Sequence, residues 1–376
     1  MPLAPPLPDP ALPPVRVNLF SDTQSRPSPA MRAAMMAAEV GDEQRGEDPT
    51  INALCARMAT LLGKDAAMFL PSGTMANEIA ILTHCRPGDE ILAHESSHIA
   101  TSEGGAPSAL AGARVVGLAG ARGQFSRETL RAALTSRDYR YAAPQTLIAV
   151  EQTANFGGGS VWPRDALDAI ADLAREHGIK THMDGARLLN AVVASGVPAA
   201  AMARGYASVW LDFTKGLGAP IGAVLAGSHA FIDAAWRWKQ RLGGAFRQGG
   251  IAAAACLYAL DHHVERLAED HQNAALLAAR LAEIPGLSVT QPETNLVFFD
   301  ITGDGDAETL ARRLRAAGVL ISVMGPKRGR AGLYLDISRA DVETAAEAFR
   351  QAARGQGRPG ALPLDPTKGG ALGTLP

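Results

Sequence analysis

Between residues 89 and 194 the sequence alternates short apolar segments with longer segments of helical length, and this alternation constrains the fold more than any other feature. Short, nearly continuous apolar segments are typical of strands that are buried on both faces. Strands that alternate with helices form a mainly parallel sheet between layers of helices. The pattern therefore predicts an α/β fold, in which a ligand binds beyond the carboxyl ends of the strands.

The predicted elements follow this alternation along the chain. In the first two thirds, strands are expected at residues 15–19, 68–70, 89–93, 114–118, 146–151, 179–183, 208–214 and 221–226, and helices at 29–38, 49–62, 127–134, 164–177, 187–194 and 230–242, with a further helix ending at 82. A single long helix is predicted over residues 247–282. Beyond it, strands at 287–290, 295–301, 319–323 and 332–337 and helices at 307–317 and 340–353 predict a small α+β domain.

The domain organisation is predicted from these elements and from the composition of the two ends. The first 14 residues are half proline, and the last residues are rich in glycine, proline and leucine, so both ends are expected to be flexible. The predicted units are a disordered leader (1–14), an arm and loop (15–48), a large domain (49–255), a small domain (256–353) and a tail (354–376).

Composition excludes several classes of function. The chain has 376 residues with a formal net charge of −2, which gives no electrostatic reason to expect nucleic acid or an anionic membrane as a partner. No apolar run approaches the roughly 20 residues of a membrane-spanning helix. The three cysteines are widely spaced and form neither a zinc pattern nor a disulfide framework, so the cytoplasm is the expected compartment. No cluster of ligands demands a metal ion.

A lysine on a glycine-rich turn is the first pointer to chemistry. Lys215 follows the predicted strand 208–214 and precedes Gly216, Gly218 and Gly222, so the backbone turns sharply there. Burial would disfavour the ammonium form and leave an amine able to form a Schiff base. A lysine after a strand is more often a solvated surface charge, so this turn alone does not identify a function. A P-loop is disfavoured, because its glycines would precede the lysine.

Two further motifs lie where the same edge of the sheet is expected. Asp184 ends the predicted strand that precedes the strand of Lys215. Gly73 and Thr74 lie at a strand-to-helix turn of small residues, which suits a phosphate, although an ordinary helix cap would use similar residues. A lysine, a carboxylate and a phosphate-type turn together predict pyridoxal phosphate (PLP) chemistry. Lys215 would form the Schiff base, and Asp184 would keep the pyridine nitrogen protonated.

Five motifs follow one another in the chain: Ser21-Asp-Thr, Pro71-Ser-Gly-Thr, His182-Met-Asp-Gly-Ala-Arg-Leu, Thr214-Lys-Gly-Leu-Gly-Ala-Pro-Ile-Gly and Gly243-Gly-Ala-Phe-Arg-Gln. In this order they resemble the threonine aldolase family of PLP enzymes, and the resemblance spans residues 17–353. It implies the aspartate-aminotransferase-like fold (fold type I), with a large domain around a mainly parallel sheet and a smaller α+β C-terminal domain. It also implies a homodimer or homotetramer whose active sites are shared between subunits.

The resemblance implies a role for each matching residue. The cofactor-binding residues would be Gly73, Thr74, His98, Asp184, Arg187, Lys215 and Arg247. Among them, Arg187 would lie near the phenolic oxygen, and Arg247 would reach the phosphate of a neighbouring subunit. His98 would stack on the cofactor ring and is the best candidate for the base that acts on the β-hydroxyl, although a purely structural ring is the alternative. Catalysis would depend on Lys215, His98 and Asp184.

The reaction implied is cleavage of a β-hydroxy-α-amino acid to glycine and an aldehyde by a retro-aldol step. Ser21 and Arg330 would bind the substrate α-carboxylate. The chain departs from the family at several positions, among them Gln240 and the run Glu151-Gln-Thr-Ala-Asn155. Two departures concern the substrate: Arg45 stands where a tyrosine is usual, and alignment through Glu151 places Arg140 where a histidine approaches the substrate hydroxyl. If both arginines reach the site, they would favour an acidic substrate such as 3-hydroxyaspartate over threonine or allo-threonine. Surface salt bridges are the alternative for both.

Three other functions fit parts of the same pattern. A PLP-dependent β-eliminating lyase or aminotransferase would use the same fold and cofactor and form different products. A scaffold protein that has lost activity would not need to retain Lys215 and Asp184. A lysine aldolase without PLP would have no use for Asp184 or for the phosphate-type turn.

Overall fold

The computed structural model describes residues 12–136 and 139–354. Their strands are β1 (Val17–Asn18), β2 (Ala66–Leu70), β3 (Glu90–His94), β4 (Arg114–Leu118), β5 (Gln145–Glu151), β6 (Lys180–Gly185), β7 (Ser208–Asp212), β8 (Ala223–Gly227), β9 (Leu287–Thr290), β10 (Leu296–Ile301), β11 (Val319–Leu320), β12 (Ser322–Val323) and β13 (Arg328–Gly332). The predicted flexible leader and tail lie almost wholly outside the described residues.

The α-helices of the described residues alternate with these strands. They are α1 (Pro29–Met36), α2 (Pro49–Leu62), α3 (Gly73–His84), α4 (His98–Thr101), α5 (Ala106–Ala111), α6 (Arg127–Ala133), α7 (Arg164–Glu176), α8 (Leu188–Ser195), α9 (Ala199–Ala203), α10 (His229–Arg241), α11 (Gly250–His262), α12 (Leu267–Ala282), α13 (Ala307–Ala316) and α14 (Arg339–Arg354). None of these helices is long and apolar enough to cross a membrane.

A seven-stranded sheet forms the centre of the molecule, with strand order β2-β8-β7-β6-β5-β3-β4. Each neighbouring pair from β7 to β4 is parallel, and β8 runs antiparallel to both of its neighbours. Strands β3, β7 and β8 are buried at every position, because helices cover both faces of the sheet. The prediction of an α/β fold with a mainly parallel sheet is confirmed.

The topology brings the carboxyl ends of the parallel strands to one edge of the sheet. Asp184 of β6 pairs in register with Glu151 of β5 on one side and with Trp210 of β7 on the other. Lys215 follows β7 by three residues. Residues far apart in the sequence therefore meet at this edge, as expected for ligand sites in such sheets.

A second hydrophobic core lies around the four-stranded antiparallel sheet β12-β13-β10-β9. It combines residues of the C-terminal part, from Ala274 onward, with Val17 and Leu19 of the N-terminal arm. Strand β1 holds the arm in place by pairing in parallel with β11, with Val17 opposite Val319. The arm then continues from this core to the central sheet, so it connects the two cores. The predicted domain boundary at residue 255 stays a prediction.

Three predicted elements differ from the structure. The strand predicted at 319–323 is two short strands, β11 and β12, which belong to different sheets. The helix predicted over residues 247–282 is two helices, α11 and α12, and His263 between them places Nδ1 2.7 Å from the carbonyl oxygen of Leu217. The strand predicted at 332–337 lies earlier in the chain. Strand β13 covers Arg328–Gly332, so it ends at the residue where the predicted strand begins. The apolar residues after β13 are buried by packing in the second core, which gives a strand-like pattern without strand pairing.

Candidate active site

The turn after β7 positions the amine of Lys215. Its Nζ atom forms an ion pair with the carboxylate of Asp212 and lies 5.9 Å from the centre of the Trp210 ring. The side chain is 19% exposed, so the amine is accessible from one side. The hydroxyl of Ser25, on the N-terminal arm, donates to the Lys215 carbonyl oxygen at 2.7 Å. Gly218 completes the turn with a φ of +76°, a conformation that favours glycine.

Asp184 presents a buried carboxylate that makes no ion pair in the described part of the chain. Its Oδ2 atom accepts from the amide of Asn77 at 2.8 Å, and its Oδ1 atom accepts from the backbone N–H of Ala186 at 3.0 Å. Burial, and then the charge of Glu151, raise the pKa of Asp184 to about 7. A buried carboxylate without a cation is costly, and a protonated pyridine nitrogen would supply the missing positive charge. The site therefore fits the PLP ring.

Asn77 of α3 connects this carboxylate to its surroundings. Besides Asp184, its amide donates to Glu103 at 2.7 Å, and its Oδ1 atom accepts from the indole of Trp210 at 2.7 Å. His182 contacts the same oxygen through Nε2 at 3.0 Å, and burial lowers the pKa of His182 to about 3, so that ring is neutral. Sequence reasoning missed Asn77 and Glu103. The sequence signal for Asn77 was the polar pair Asn77-Glu78 among the apolar residues in the middle of α3.

His98 lies at the start of α4, between two carboxylates. Its backbone N–H donates to Glu151 at 2.8 Å, and its ring Nδ1 lies 2.7 Å from Glu103. Burial lowers the pKa of His98, but the hydrogen bond to Glu103 and the charge of Asp184 outweigh it, and the net pKa is raised above its ordinary value. Because Nδ1 is engaged by Glu103, Nε2 is the ring atom available to a substrate.

The turn before α3 has the geometry of a phosphate site. Ser72 caps the helix by accepting from the backbone N–H of Met75 at 3.2 Å. A side chain at Gly73 would place Cβ 2.2 Å from the Trp210 ring, so only glycine allows this close approach between α3 and β7. Thr74 is exposed in the first turn of the helix, where backbone N–H groups and the helix dipole favour an anion. This supports the prediction for Gly73 and Thr74.

A buried ion pair fixes Arg187 next to the site. Its guanidinium donates to both oxygens of Asp22, each at 2.7 Å. Burial alone would raise the pKa of Asp22, but Arg187 and the amide of Asn295 hold it well below its usual range. Asp22 was not predicted as a site residue, although it lies in the Ser21-Asp-Thr motif. Ser21 itself is buried, and its hydroxyl accepts from the backbone N–H of Thr23 at 3.2 Å.

Arg330 of β13 brings an incompletely paired cation to the same region. One terminal nitrogen donates to Asn155 at 3.1 Å, while Nε is buried and has no hydrogen-bond partner among the described residues. Burial and the nearby charge of Arg187 lower the pKa of Arg330 to about 10. The other terminal nitrogen donates to the Phe20 carbonyl oxygen and to the Ser322 hydroxyl, each at 3.4 Å. A guanidinium held in this way favours an anionic ligand, because a carboxylate would supply the missing negative charge and an acceptor.

Three predicted arginines are not brought to this edge by a single chain. Arg140 precedes β5 next to Tyr141, which lines a cavity of about 680 Å³ at the amino ends of β3, β4 and β5. Within one chain Arg140 therefore lies away from the site, because the length of β5 separates it from Glu151, through which it was aligned. Its role at the site stays a prediction. Arg45 is exposed and pairs with Glu47 at 2.7 Å, and Arg247 is exposed and pairs with Asp42 at 2.8 Å.

Comparisons with known proteins agree with this geometry. A family model described as beta-eliminating lyase matches residues 18–304. The low specificity L-threonine aldolase of Escherichia coli (strain K12) is 39% identical over 335 residues, covering 89% of this chain and 98% of that protein. Low-specificity L-threonine aldolase 1 of Arabidopsis thaliana is 38% identical over 344 residues, covering 89% of this chain and 96% of that protein.

The same architecture occurs in solved structures. The structure of the Leishmania major threonine aldolase superposes with a TM-score of 0.78 and 21% sequence identity, covering 90% of this chain and 99% of that one. At this identity the likeness concerns the fold, which is the fold type I architecture implied by the five sequence motifs.

Proposed function

The chain belongs to the threonine aldolase family of PLP enzymes, and from this premise we propose that it cleaves β-hydroxy-α-amino acids to glycine and an aldehyde. The observation that supports this most directly is the buried carboxylate of Asp184, which lacks a cation and lies one strand away from Lys215. When bound, PLP supplies an electron-withdrawing pyridinium that takes up the electron pair left on Cα as the Cα–Cβ bond breaks. Threonine and allo-threonine are the substrates proposed first.

The residues that would hold PLP surround this carboxylate. Asp184 would contact the pyridine nitrogen, and Lys215 would bind the aldehyde carbon. The exposed first turn of α3, with Gly73 and Thr74, would hold the phosphate. Asn77 keeps Asp184 in place by a hydrogen bond of 2.8 Å. Arg187, fixed by Asp22, stays oriented without help from a ligand.

Arg330 is proposed to bind the substrate α-carboxylate. Its Nε atom and its guanidinium charge are both unsatisfied in the described residues, and a carboxylate can accept two parallel hydrogen bonds from one guanidinium. Fixing the carboxylate also fixes the rotation about the bond from Cα to the carboxylate carbon. The bond to the β-carbon is then oriented with respect to the rest of the site, which is the main contribution that positioning makes to catalysis.

His98 is proposed to take the proton of the β-hydroxyl. The carboxylate of Glu103 accepts from Nδ1–H, which leaves the lone pair on Nε2. Proton transfer to Nε2 leaves an imidazolium that Glu103 stabilises. The same contact raises the pKa of His98, so the ring must lose a proton before it can act as a base.

A substrate panel tests the reaction. Purified enzyme with added PLP is mixed with L-threonine, L-allo-threonine or 3-hydroxyaspartate, and glycine, aldehyde, ammonia and keto acid are measured together. The proposal predicts equal amounts of glycine and aldehyde and no keto acid from threonine or allo-threonine. Lys215→Ala should abolish turnover. Ammonia and 2-oxobutyrate from threonine would identify a β-eliminating lyase instead, the second function that the matching family model favours.

We also propose a homodimer or homotetramer with shared active sites, located in the cytoplasm. Arg247 and Arg45 are exposed in a single chain, as expected of residues that act on a neighbouring subunit. Helices α1 and α11 pack together, and each presents an exposed apolar side chain, Met36 and Ile251. Light scattering gives the number of subunits. Recovery of activity on mixing Lys215→Ala with Arg247→Ala chains tests whether the sites are shared.

A further inference from the structure

A series of buried hydrogen bonds leads from α3 and the central strands to the carboxylate of Asp184. Nδ1 of His182 lies 2.8 Å from the hydroxyl of Ser208, its neighbour in register on β7, and Nε2 lies 3.0 Å from Oδ1 of Asn77. The Ser208 hydroxyl also lies 2.9 Å from Nε2 of His84, at the end of α3. His182, Ser208 and Asn77 are fully buried. These three residues and His84 are called the buried network below.

The indole of Trp210 fixes the direction of the hydrogen bonds in the buried network. An indole N–H can only donate, so the Asn77 atom 2.7 Å from it must be the amide oxygen. Nε2 of His182 faces the same oxygen and therefore carries a proton. Burial lowers the pKa of His182 to about 3, so the ring is neutral and Nδ1 is an acceptor. The Ser208 hydroxyl then donates to Nδ1, and its oxygen accepts from Nε2–H of His84.

The amide of Asn77 directs its two N–H bonds to the active site. One N–H donates to Asp184 at 2.8 Å and the other to Glu103 at 2.7 Å. Glu103 in turn contacts the ring of His98. A single amide therefore connects the carboxylate proposed to contact the pyridine nitrogen with the carboxylate that holds the proposed base. Both lone pairs of the oxygen and both hydrogens of the nitrogen are used, so the amide has one favourable orientation.

We propose that His182 is a positioning residue that, together with Trp210, holds the Asn77 amide in its orientation before PLP binds. The amide in turn keeps the carboxylates of Asp184 and Glu103 in place. Without the N–H of His182, the indole is the remaining donor to the Asn77 oxygen among the described residues. The amide and the Asp184 carboxylate then gain freedom that PLP binding must remove, which weakens binding. The inference rests on the proposed function only for the contact of Asp184 with PLP.

The affinity for PLP tests this role. The purified holoenzyme is dialysed to equilibrium against graded concentrations of PLP, and bound PLP is measured without substrate. His182→Leu keeps much of the bulk of the side chain and removes both ring nitrogens, so the Kd of PLP should rise about tenfold, as expected when two side chains must be ordered on binding. His182→Gln can place an amide N–H near the position of Nε2–H, so its Kd should stay within about threefold of wild type.

The matched control is Thr181→Val. Thr181 is the buried neighbour of His182 on β6, and its hydroxyl donates to the carbonyl oxygen of Gly205 at 3.0 Å. Successive side chains of a strand lie on opposite faces of the sheet, so this hydroxyl is directed away from Asn77. Thr181→Val should lower stability and leave the Kd of PLP unchanged. An equal rise of Kd in Thr181→Val and His182→Leu would overturn the proposal, and so would an unchanged Kd in His182→Leu.

A substitution of Asn77 shows whether His182 acts through this amide. Because Asn77→Ala already lacks the amide, adding His182→Leu should raise the Kd of PLP by less than about twofold further. A further rise of about tenfold would mean that His182 acts by another route, which would contradict the proposal. Ser208→Ala removes the donor to Nδ1 and takes the place of His182→Leu in both backgrounds if that variant does not fold. These measurements contain no substrate, so they do not depend on the outcome of the substrate panel.

Discussion

At the scale of single residues, the contact between His98 and Glu103 controls when the proposed base can act. The carboxylate raises the pKa of His98 above its ordinary value, so the ring is protonated at acidic pH and loses its proton as the pH rises. We expect kcat/KM to increase with pH through this pKa. In Glu103→Gln the charge is lost and the pKa of His98 falls, so the rise should move to lower pH.

The measurement for this prediction is kcat/KM for threonine against pH for both enzymes. Glu176→Gln, which changes an exposed carboxylate paired with Arg127, is the control and should leave the profile unchanged. Identical acidic limbs in wild type and Glu103→Gln would show that His98 is not the group whose ionisation limits the reaction.

Arg330 and Arg328 provide a matched pair on one strand. Arg328 pairs on the surface with both oxygens of Asp300, whereas Arg330 is directed into the site. Arg330→Lys keeps the charge and loses the fork that binds a carboxylate through two hydrogen bonds. We expect kcat/KM for threonine to fall by about 10- to 100-fold, the equivalent of one charged hydrogen bond. Arg328→Lys should change it by less than about twofold, since exposed pairs contribute little.

At the scale of elements, α3 contains a second acid next to the network of Asn77. Glu78 is 3% exposed, and neither of its carboxylate oxygens has a geometrically satisfied hydrogen bond among the described residues. Burial, together with the adjacent carboxyl group of Glu103, raises the pKa of Glu78 from 4.5 to about 9. Glu78 is therefore protonated in the folded enzyme at neutral pH.

The raised pKa of Glu78 makes the folded protein less stable as the pH rises. Above about pH 5 the unfolded chain releases the proton of Glu78 while the folded protein keeps it, so the free energy of unfolding falls as the pH rises toward 9. Glu78→Gln has the same shape and does not titrate. Urea denaturation at pH 5, 7 and 9 should show the variant gaining stability over wild type at each step. Parallel curves would mean that Glu78 is ionised in the folded protein.

Strands and helices could be predicted from the sequence where a local pattern of apolar residues determines them. They could not be predicted where a contact between residues far apart in the chain is involved. Strand and helix alternation predicted the central sheet, because most of its strands contain a short run of buried apolar residues. At the break between α11 and α12, His263 contacts the carbonyl of Leu217, 46 residues away, which no local pattern contains. The site divides in the same way. Lys215 and Asp184 could be predicted from their positions at or just beyond the carboxyl ends of strands. Asn77 and Asp212 could not, because only their partners in the fold identify them.

At the scale of the whole molecule, the N-terminal arm connects the second core to the active site. Leu19 is fully buried in that core, and three residues later Asp22 fixes Arg187 in the central domain. The packing of the arm in the second core therefore helps to set the position of Arg187 in the active site. A cavity-forming substitution in the arm should therefore lower both stability and catalysis. A similar substitution elsewhere in the second core should lower stability alone.

Leu19→Ala and Leu277→Ala test this connection. Both side chains are fully buried in the second core, so each substitution should lower the free energy of unfolding by about 2–5 kcal/mol. Only Leu19→Ala loosens the arm that carries Asp22, so only this variant should also raise KM for threonine, measured well below the unfolding transition. If the two variants show the same KM as wild type, Arg187 keeps its orientation without the arm. If both raise KM equally, the site responds to the stability of the core and not to the arm that crosses to it.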